Sequence, residues 1–258
     1  MGKWLLSSLA VLGLISPAFA GLKTQTVEYK EGNTVLEGYL AYDDSFQGKR
    51  PGVLVVHEWT GLGNYAKSRA DKLAQLGYVA FAADIYGKGV RPTAVEDCMK
   101  TSGIYYKDRG LFRKRVNAGL AQLSSNELVD TSRLAAIGYC FGGTAVLELA
   151  RSGAPVKGVV SFHGGLESPT PADAKNIKGK VLVCQGGADT FTLSQVPGFE
   201  KEMKDAGVDY KIITYEGAQH SFTNPEAKGQ LKGALYNEKA DKGSWKAMKA
   251  FFETIFKP

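Results

Sequence analysis

The stretch Leu134-Ala135-Ala136-Ile137-Gly138-Tyr139-Cys140-Phe141-Gly142-Gly143-Thr144 decides how the rest of this 258-residue chain is read. Leu134 to Gly138 reads as a buried strand, and Thr144 to Arg151 as a helix. Between them lies Gly-x-Cys-x-Gly-Gly, a nucleophile elbow with cysteine where serine is more usual. The chain must reverse so tightly there that a side chain two residues either side of Cys140 would collide with it, which explains Gly138 and Gly142. The turn also sets Cys140 at the positive end of the following helix, which favours thiolate over thiol.

On both sides of the elbow, apolar bursts rich in Val, Ile and Leu alternate with longer helical patterns. This is the signature of a mostly parallel central sheet with helices on both faces. Strands are expected at Thr26 to Tyr29, Val35 to Tyr42, Gly52 to His57, Val79 to Ala83, Val156 to Phe162, Lys180 to Gln185 and Tyr210 to Tyr215, besides the one before Cys140. Gly32-Asn33 between the first two is a hairpin signal. The other helices are expected at Tyr65 to Leu76, Asp108 to Leu123, Val196 to Ala206 and Lys239 to Phe256. In the last of these Trp245, Met248, Phe252 and Ile255 recur at helical spacing, which reads as core packing.

A nucleophile needs a base and an acid that orients it. Asp189 follows one strand through Gly186-Gly187-Ala188, and His220 follows the next through Glu216-Gly217-Ala218-Gln219. Nucleophile, acid and histidine thus occur in the chain order of the α/β-hydrolase triad. The imidazole can take the thiol hydrogen and later return it, while the carboxylate fixes the tautomer. Glu58 stands at the tip of an earlier strand beside Gly61-Leu62-Gly63, the loop that supplies a second oxyanion amide in such sheets. The backbone N–H groups of Phe141 and Trp59 are the candidate oxyanion hole, next to which a carboxylate at Glu58 is an awkward neighbour unless it moves, is neutral or holds the thiol. The three histidines, His57, His163 and His220, all follow strands. A metal reading is weighed and set aside, because His57-Glu58-Trp59-Thr60-Gly61 has glycine where a zincin helix needs its second histidine.

The composition, 44% hydrophobic and 22% charged with 31 Gly and 9 Pro, is that of an ordinary folded chain. The net charge of +6 is spread thinly, and its densest cluster, Arg113-Lys114-Arg115, has no aromatic stripe beside it, so no nucleic-acid partner is expected. Lys3, the apolar run from Trp4 to Ile15, Ser16-Pro17 and Ala18-Phe19-Ala20 form a secretory signal pattern with cleavage expected after Ala20. Pro17 and the serines at 7 and 8 leave the run short of the roughly 20 apolar residues that span a bilayer. The expectation is a signal peptide over 1–20, one domain over 21–258, a periplasmic or secreted location, and no membrane anchor after cleavage. Export would bring an odd number of cysteines into an oxidising space. Cys184 lies inside an apolar strand and Cys98 on a helical stretch, so both read as structural.

His57-Glu58 with Gly61-Leu62, the elbow Gly138 to Gly143, Gly187-Ala188-Asp189 and Gly217-Ala218-Gln219-His220-Ser221-Phe222 together resemble the dienelactone hydrolase family. The resemblance covers essentially the whole chain after residue 20, including Tyr236-Asn237 to Ala240-Asp241 and Ser244-Trp245. It implies an α/β-hydrolase fold, a Cys140/Asp189/His220 triad, and hydrolysis of a lactone or ester through a thioester without cofactor. It also implies that Glu58 holds the resting thiol until substrate displaces it, which would shield the sulfur from oxidation. One departure stands out. Dienelactone-specific members grip the substrate carboxylate with arginines, one of them four residues after the catalytic histidine, and that position is Asn224 here; Arg91 and Arg109 are the candidate substitutes.

The leading expectation is an exported cysteine-dependent hydrolase that cleaves a small-molecule lactone, ester or thioester through an acyl-cysteine intermediate. The competing readings are a catalytically silent scaffold that binds a ligand or partner, and an acyltransferase using the same triad.

Overall fold

The hairpin signal at Gly32-Asn33 is met by β1 (Leu22–Glu31) and β2 (Thr34–Asp43), antiparallel with Glu31 opposite Thr34. Gly32 has φ +53°, a left-handed conformation that glycine adopts without a Cβ penalty. The computed structural model describes residues 21–257, so the candidate signal peptide lies outside the described residues. After the hairpin come β3 (Arg50–Val56), α1 (Asn64–Ala74), β4 (Val79–Ala83), α2 (Val95–Lys107), α3 (Arg109–Ser124) and β5 (Val129–Tyr139). Then follow α4 (Phe141–Arg151), β6 (Gly158–Phe162), β7 (Lys180–Gly186), α5 (Val196–Ala206), β8 (Tyr210–Tyr215) and α6 (Glu238–Ile255).

The eight strands form one sheet in the order β1-β2-β4-β3-β5-β6-β7-β8. Strands β3 to β8 run parallel, and the pairs β1–β2 and β2–β4 are antiparallel. Alternation along β3 divides its side chains between two cores. Val53 and Val55 pack with Leu73 of α1 and Phe252 of α6, whereas Leu54 and Val56 pack with Phe112 of α3 and Val146 of α4. Each such buried side chain contributes about 1.5–3 kcal/mol, so the central strands are fixed from both faces. This is the α/β-hydrolase architecture, and Met248 and Phe252 of the C-terminal helix are fully buried in its core as their spacing predicts.

Strands β1 and β5 begin earlier than expected, at Leu22 and Val129, and two helices differ from expectation in other ways. Helix α4 starts at Phe141 and not near Thr144, because Gly142 and Gly143 are helical: their missing side chains let the first turn press against neighbouring strands. A Cβ on Gly142 would lie 2.2 Å from the Val56 carbonyl oxygen, and one on Gly143 2.6 Å from Ser161 Oγ. Helix α2 has no clear apolar stripe in sequence because its apolar residues are divided: Tyr105 is buried, while Val95, Met99 and Ile104 are exposed.

Candidate active site

The turn between β5 and α4 carries Cys140 with φ 55° and ψ −116°, a left-handed backbone rare in a residue with a side chain. A Cβ on Gly138 would stand 1.9 Å from the Gly142 carbonyl oxygen, so the reversal excludes any larger residue there. Cys140 precedes the first helical residue of α4 and is half-buried, while Cys98 and Cys184 are buried; all three are free thiols. Burial pushes the Cys184 thiol up to about 12 and also raises that of Cys98.

The loops after β7 and β8 bring Asp189 and His220 to this turn. His220 Nε2 lies 3.0 Å from Cys140 Sγ, and His220 Nδ1 lies 2.8 Å from Asp189 Oδ2. Asp189 is buried and also accepts from Phe191 N (2.9 Å), Thr192 N (3.2 Å) and Thr192 Oγ1 (2.9 Å). An acceptor held in this way keeps a hydrogen on Nδ1 and leaves Nε2 to exchange one with the sulfur. Burial works against a charged His220, but the Cys140 sulfur and the Asp189 carboxylate outweigh it and raise the imidazole to about 10. Burial likewise opposes ionisation of Asp189, and its bond to His220 reverses that, leaving the carboxyl below its usual range.

Glu58, two residues beyond the end of β3, does not hold the thiol here. Its Oε2 accepts from Asn224 Nδ2 at 2.6 Å and its Oε1 from Ser221 Oγ at 3.3 Å, both from the loop that carries His220. Burial raises its carboxyl above the usual range, partly offset by the Asn224 bond. Asn224, noted in the sequence only as a missing arginine, is therefore the partner of Glu58, and no local signal announced it. Trp59 and Cys140 line the same cavity, and the Phe141 N–H is the first of α4. Among the described residues neither the Phe141 nor the Trp59 N–H donates a hydrogen bond.

The cavity has a volume of about 570 Å³ and is walled largely by Trp59, Val95, Met99, Tyr106 and Phe191. Most of this wall comes from α2 and from the loop after Asp189, which the sequence did not mark. The two candidate arginines part company. Arg91 turns to the carbonyls of Leu62 (2.7 Å), Val90 (2.8 Å) and Gly87 (3.2 Å), which removes it as a substitute. Arg109 lines the cavity, with its guanidinium 5.2 Å from the Tyr106 ring centre and its buried Nε and Nη1 unpartnered among the described residues.

The three histidines do not converge on a common point. His57 Nδ1 lies 2.6 Å from the Glu58 carbonyl and its Nε2 accepts from Ile85 N at 3.2 Å. His163 is bonded to Cys140 N and Thr223. Among the described residues no group of three or more His, Cys, Asp or Glu is arranged to hold a metal ion.

Comparison with known proteins gives a consistent family signal. Residues 36–256 match the family model described as the Dienelactone hydrolase family. A Synechocystis protein named "Putative carboxymethylenebutenolidase" is 28% identical over 252 residues, covering 92% of this chain and 98% of that one. The solved structure m3DLH superimposes with a TM-score of 0.89 at 39% identity over 92% of this chain and 100% of its own. A dienelactone hydrolase-like promiscuous phosphotriesterase from metagenomic libraries gives 0.87 at 38% identity over the same shares.

Proposed function

The chain belongs to the dienelactone hydrolase family and is a hydrolase of carboxylic ester bonds; on that premise we propose that it is an exported enzyme whose nucleophile is Cys140. The observation that carries this reading is the His220 ring bridging Cys140 Sγ and Asp189 within one cavity.

His220 Nε2 takes the thiol hydrogen to form a thiolate–imidazolium pair, and Sγ then attacks the carbonyl carbon of a small ester or lactone. The carbonyl π electrons move to oxygen, which the Phe141 and Trp59 N–H groups stabilise. Collapse breaks the ester C–O bond, His220 passes its hydrogen to the leaving alkoxide, and an acyl-cysteine thioester remains. Water then gives a hydrogen to His220 and its oxygen to the acyl carbon. The thiolate leaves and regains the hydrogen, releasing the acid. In a lactone the alcohol stays tethered to the acyl chain. The apolar walls suit a hydrocarbon substrate body, and Arg109 suits a carboxylate on it, because two buried N–H donors await an acceptor there.

Export rests on the residues before Gly21. Cleavage after Ala20 would leave a charged amine on Gly21, whose nitrogen already donates to Asp44 Oδ1 at 2.6 Å. N-terminal sequencing of protein secreted by a bacterial host is expected to begin at Gly21; an intact Met1 in the exported fraction would refute cleavage.

The enzymatic reading is tested by incubating residues 21–258 with a panel of activated esters, lactones and thioesters before and after thiol alkylation. Turnover abolished by alkylation is expected. Its absence across the panel would support the silent scaffold, and product formed only with an added alcohol or amine would support acyl transfer.

A further inference from the structure

Cys140 and His220 come from loops after β5 and β8, strands with β6 and β7 between them in the sheet. His163, which directly follows β6, spans the gap. Its Nδ1 accepts from Cys140 N at 3.1 Å, and its Nε2 lies 2.7 Å from Thr223 Oγ1, in the loop that holds His220. The Cys140 N–H is shared with the Phe162 carbonyl at 3.0 Å, so the end of β6 holds the turn through both main chain and side chain.

Thr223 is anchored from its far side. Its Oγ1 is 2.6 Å from Tyr65 Oη, and its carbonyl accepts from Arg69 Nη2 at 2.5 Å; Arg69 also pairs with Asp241 at 2.7 Å. His163 itself is fully buried, with φ +40°. A side-chain-bearing residue keeps such a backbone only where its surroundings over-determine it.

The bonds fix the chemistry of the ring. An amide N–H only donates, so Nδ1 of His163 carries no hydrogen, and the neutral ring donates from Nε2 to the Thr223 hydroxyl. Burial, joined by the positive charges of His220 and Arg69, keeps the ring far below the usual imidazole range. His163 makes no hydrogen bond to the Cys140 sulfur, whose ring partner is His220.

We propose that His163 is a positioning residue, a neutral spacer in one tautomer that braces the Cys140 turn against the His220 loop and so sets the distance between sulfur and imidazole. The proposal rests on the assignment of Cys140 and His220 as nucleophile and base.

Alkylation of Cys140 by iodoacetamide reads that pair without any substrate. His163→Phe keeps a ring among Tyr139, Phe222 and His220 but loses both polar contacts. It is expected to slow alkylation and lower kcat by about tenfold, with KM changed by less than about twofold. Thr223→Val, which removes only the hydroxyl, should move both rates in the same direction. The double variant should be no slower than His163→Phe, because both changes cut one chain of contacts. His163→Asn keeps an acceptor near Cys140 N and should recover part of the loss.

A folded His163→Phe protein that alkylates and turns over at the wild-type rate would overturn the proposal, as would fully additive losses. If His163→Phe does not fold by circular dichroism, Thr223→Val decides, and unchanged alkylation overturns it. Full activity in Cys140→Ala would defeat the underlying site assignment instead, a result distinguishable from all of these.

Discussion

His220 Nε2 stands 3.0 Å from Cys140 Sγ across 80 residues of chain, close enough to exchange a hydrogen with it. If this pair performs the chemistry, Cys140→Ala removes turnover while the fold, whose core the half-buried thiol barely enters, keeps its melting temperature within a few degrees. In the wild-type protein one equivalent of iodoacetamide should inactivate, and peptide mapping should find the label on Cys140 with Cys98 and Cys184 unmodified. Label on either buried cysteine with Cys140 intact would contradict the assignment.

The raised imidazole of His220 sets a pH dependence. The ring gains a hydrogen on forming the ion pair and holds it up to about 10, and that hydrogen must reach the leaving alkoxide. We expect kcat/KM to persist through neutral pH and fall as pH rises through about 10. A basic limb centred near 7, where an unperturbed imidazole titrates, would mean that His220 is not held by Cys140 and Asp189.

Glu58 contributes a second carboxylate close to His220. Glu58→Gln removes a negative charge that favours the imidazolium, so the basic limb should move to lower pH, and the pH profile of Cys140 alkylation should move with it. Asn224→Ala frees one carboxylate oxygen and is expected to alter the same two profiles. Superimposable profiles in both variants would reduce Glu58 to a structural residue.

Gly138→Ala should be disabling through geometry alone. Its Cβ would sit 1.9 Å from the Gly142 carbonyl oxygen, where only backbone displacement relieves the clash. We expect a stability loss of about 1–3 kcal/mol together with loss of activity, measured by urea unfolding and by turnover. A variant with wild-type stability would show that the turn has another conformation open to it.

Arg109 is expected to discriminate among substrates. Arg109→Leu should raise KM for an ester bearing a carboxylate by about tenfold, equivalent to about 1.4 kcal/mol, and affect an uncharged ester of the same shape far less. Equal losses on both would remove the carboxylate from its role.

The elbow, the hairpin at Gly32-Asn33, the alternation of strands and helices, and the order Cys140, Asp189, His220 were all legible before any coordinates. Each is a local property. Glycine spacing, side-chain period and the loop after a strand depend on residues a few positions apart, and the parallel sheet then carries such loops to one edge. The first turn of α4 is not legible locally, because two adjacent glycines resemble a loop, whereas crowding against Val56 and Ser161 is what requires them. The apolar residues of α2 gave no stripe because several of them face a cavity and not a core.

The sequence alone thus determined that a thiol sits on a sharp bend before a helix, with an acid and a histidine behind it. The packed fold adds that Asn224 takes the carboxylate of Glu58, that His163 accepts from the Cys140 backbone, and that Arg109 and not Arg91 reaches the cavity. These pairings join loops up to 166 residues apart. They depend on strand order and on the exact height at which each strand ends, quantities set by the packing of two whole cores rather than by any one stretch of chain.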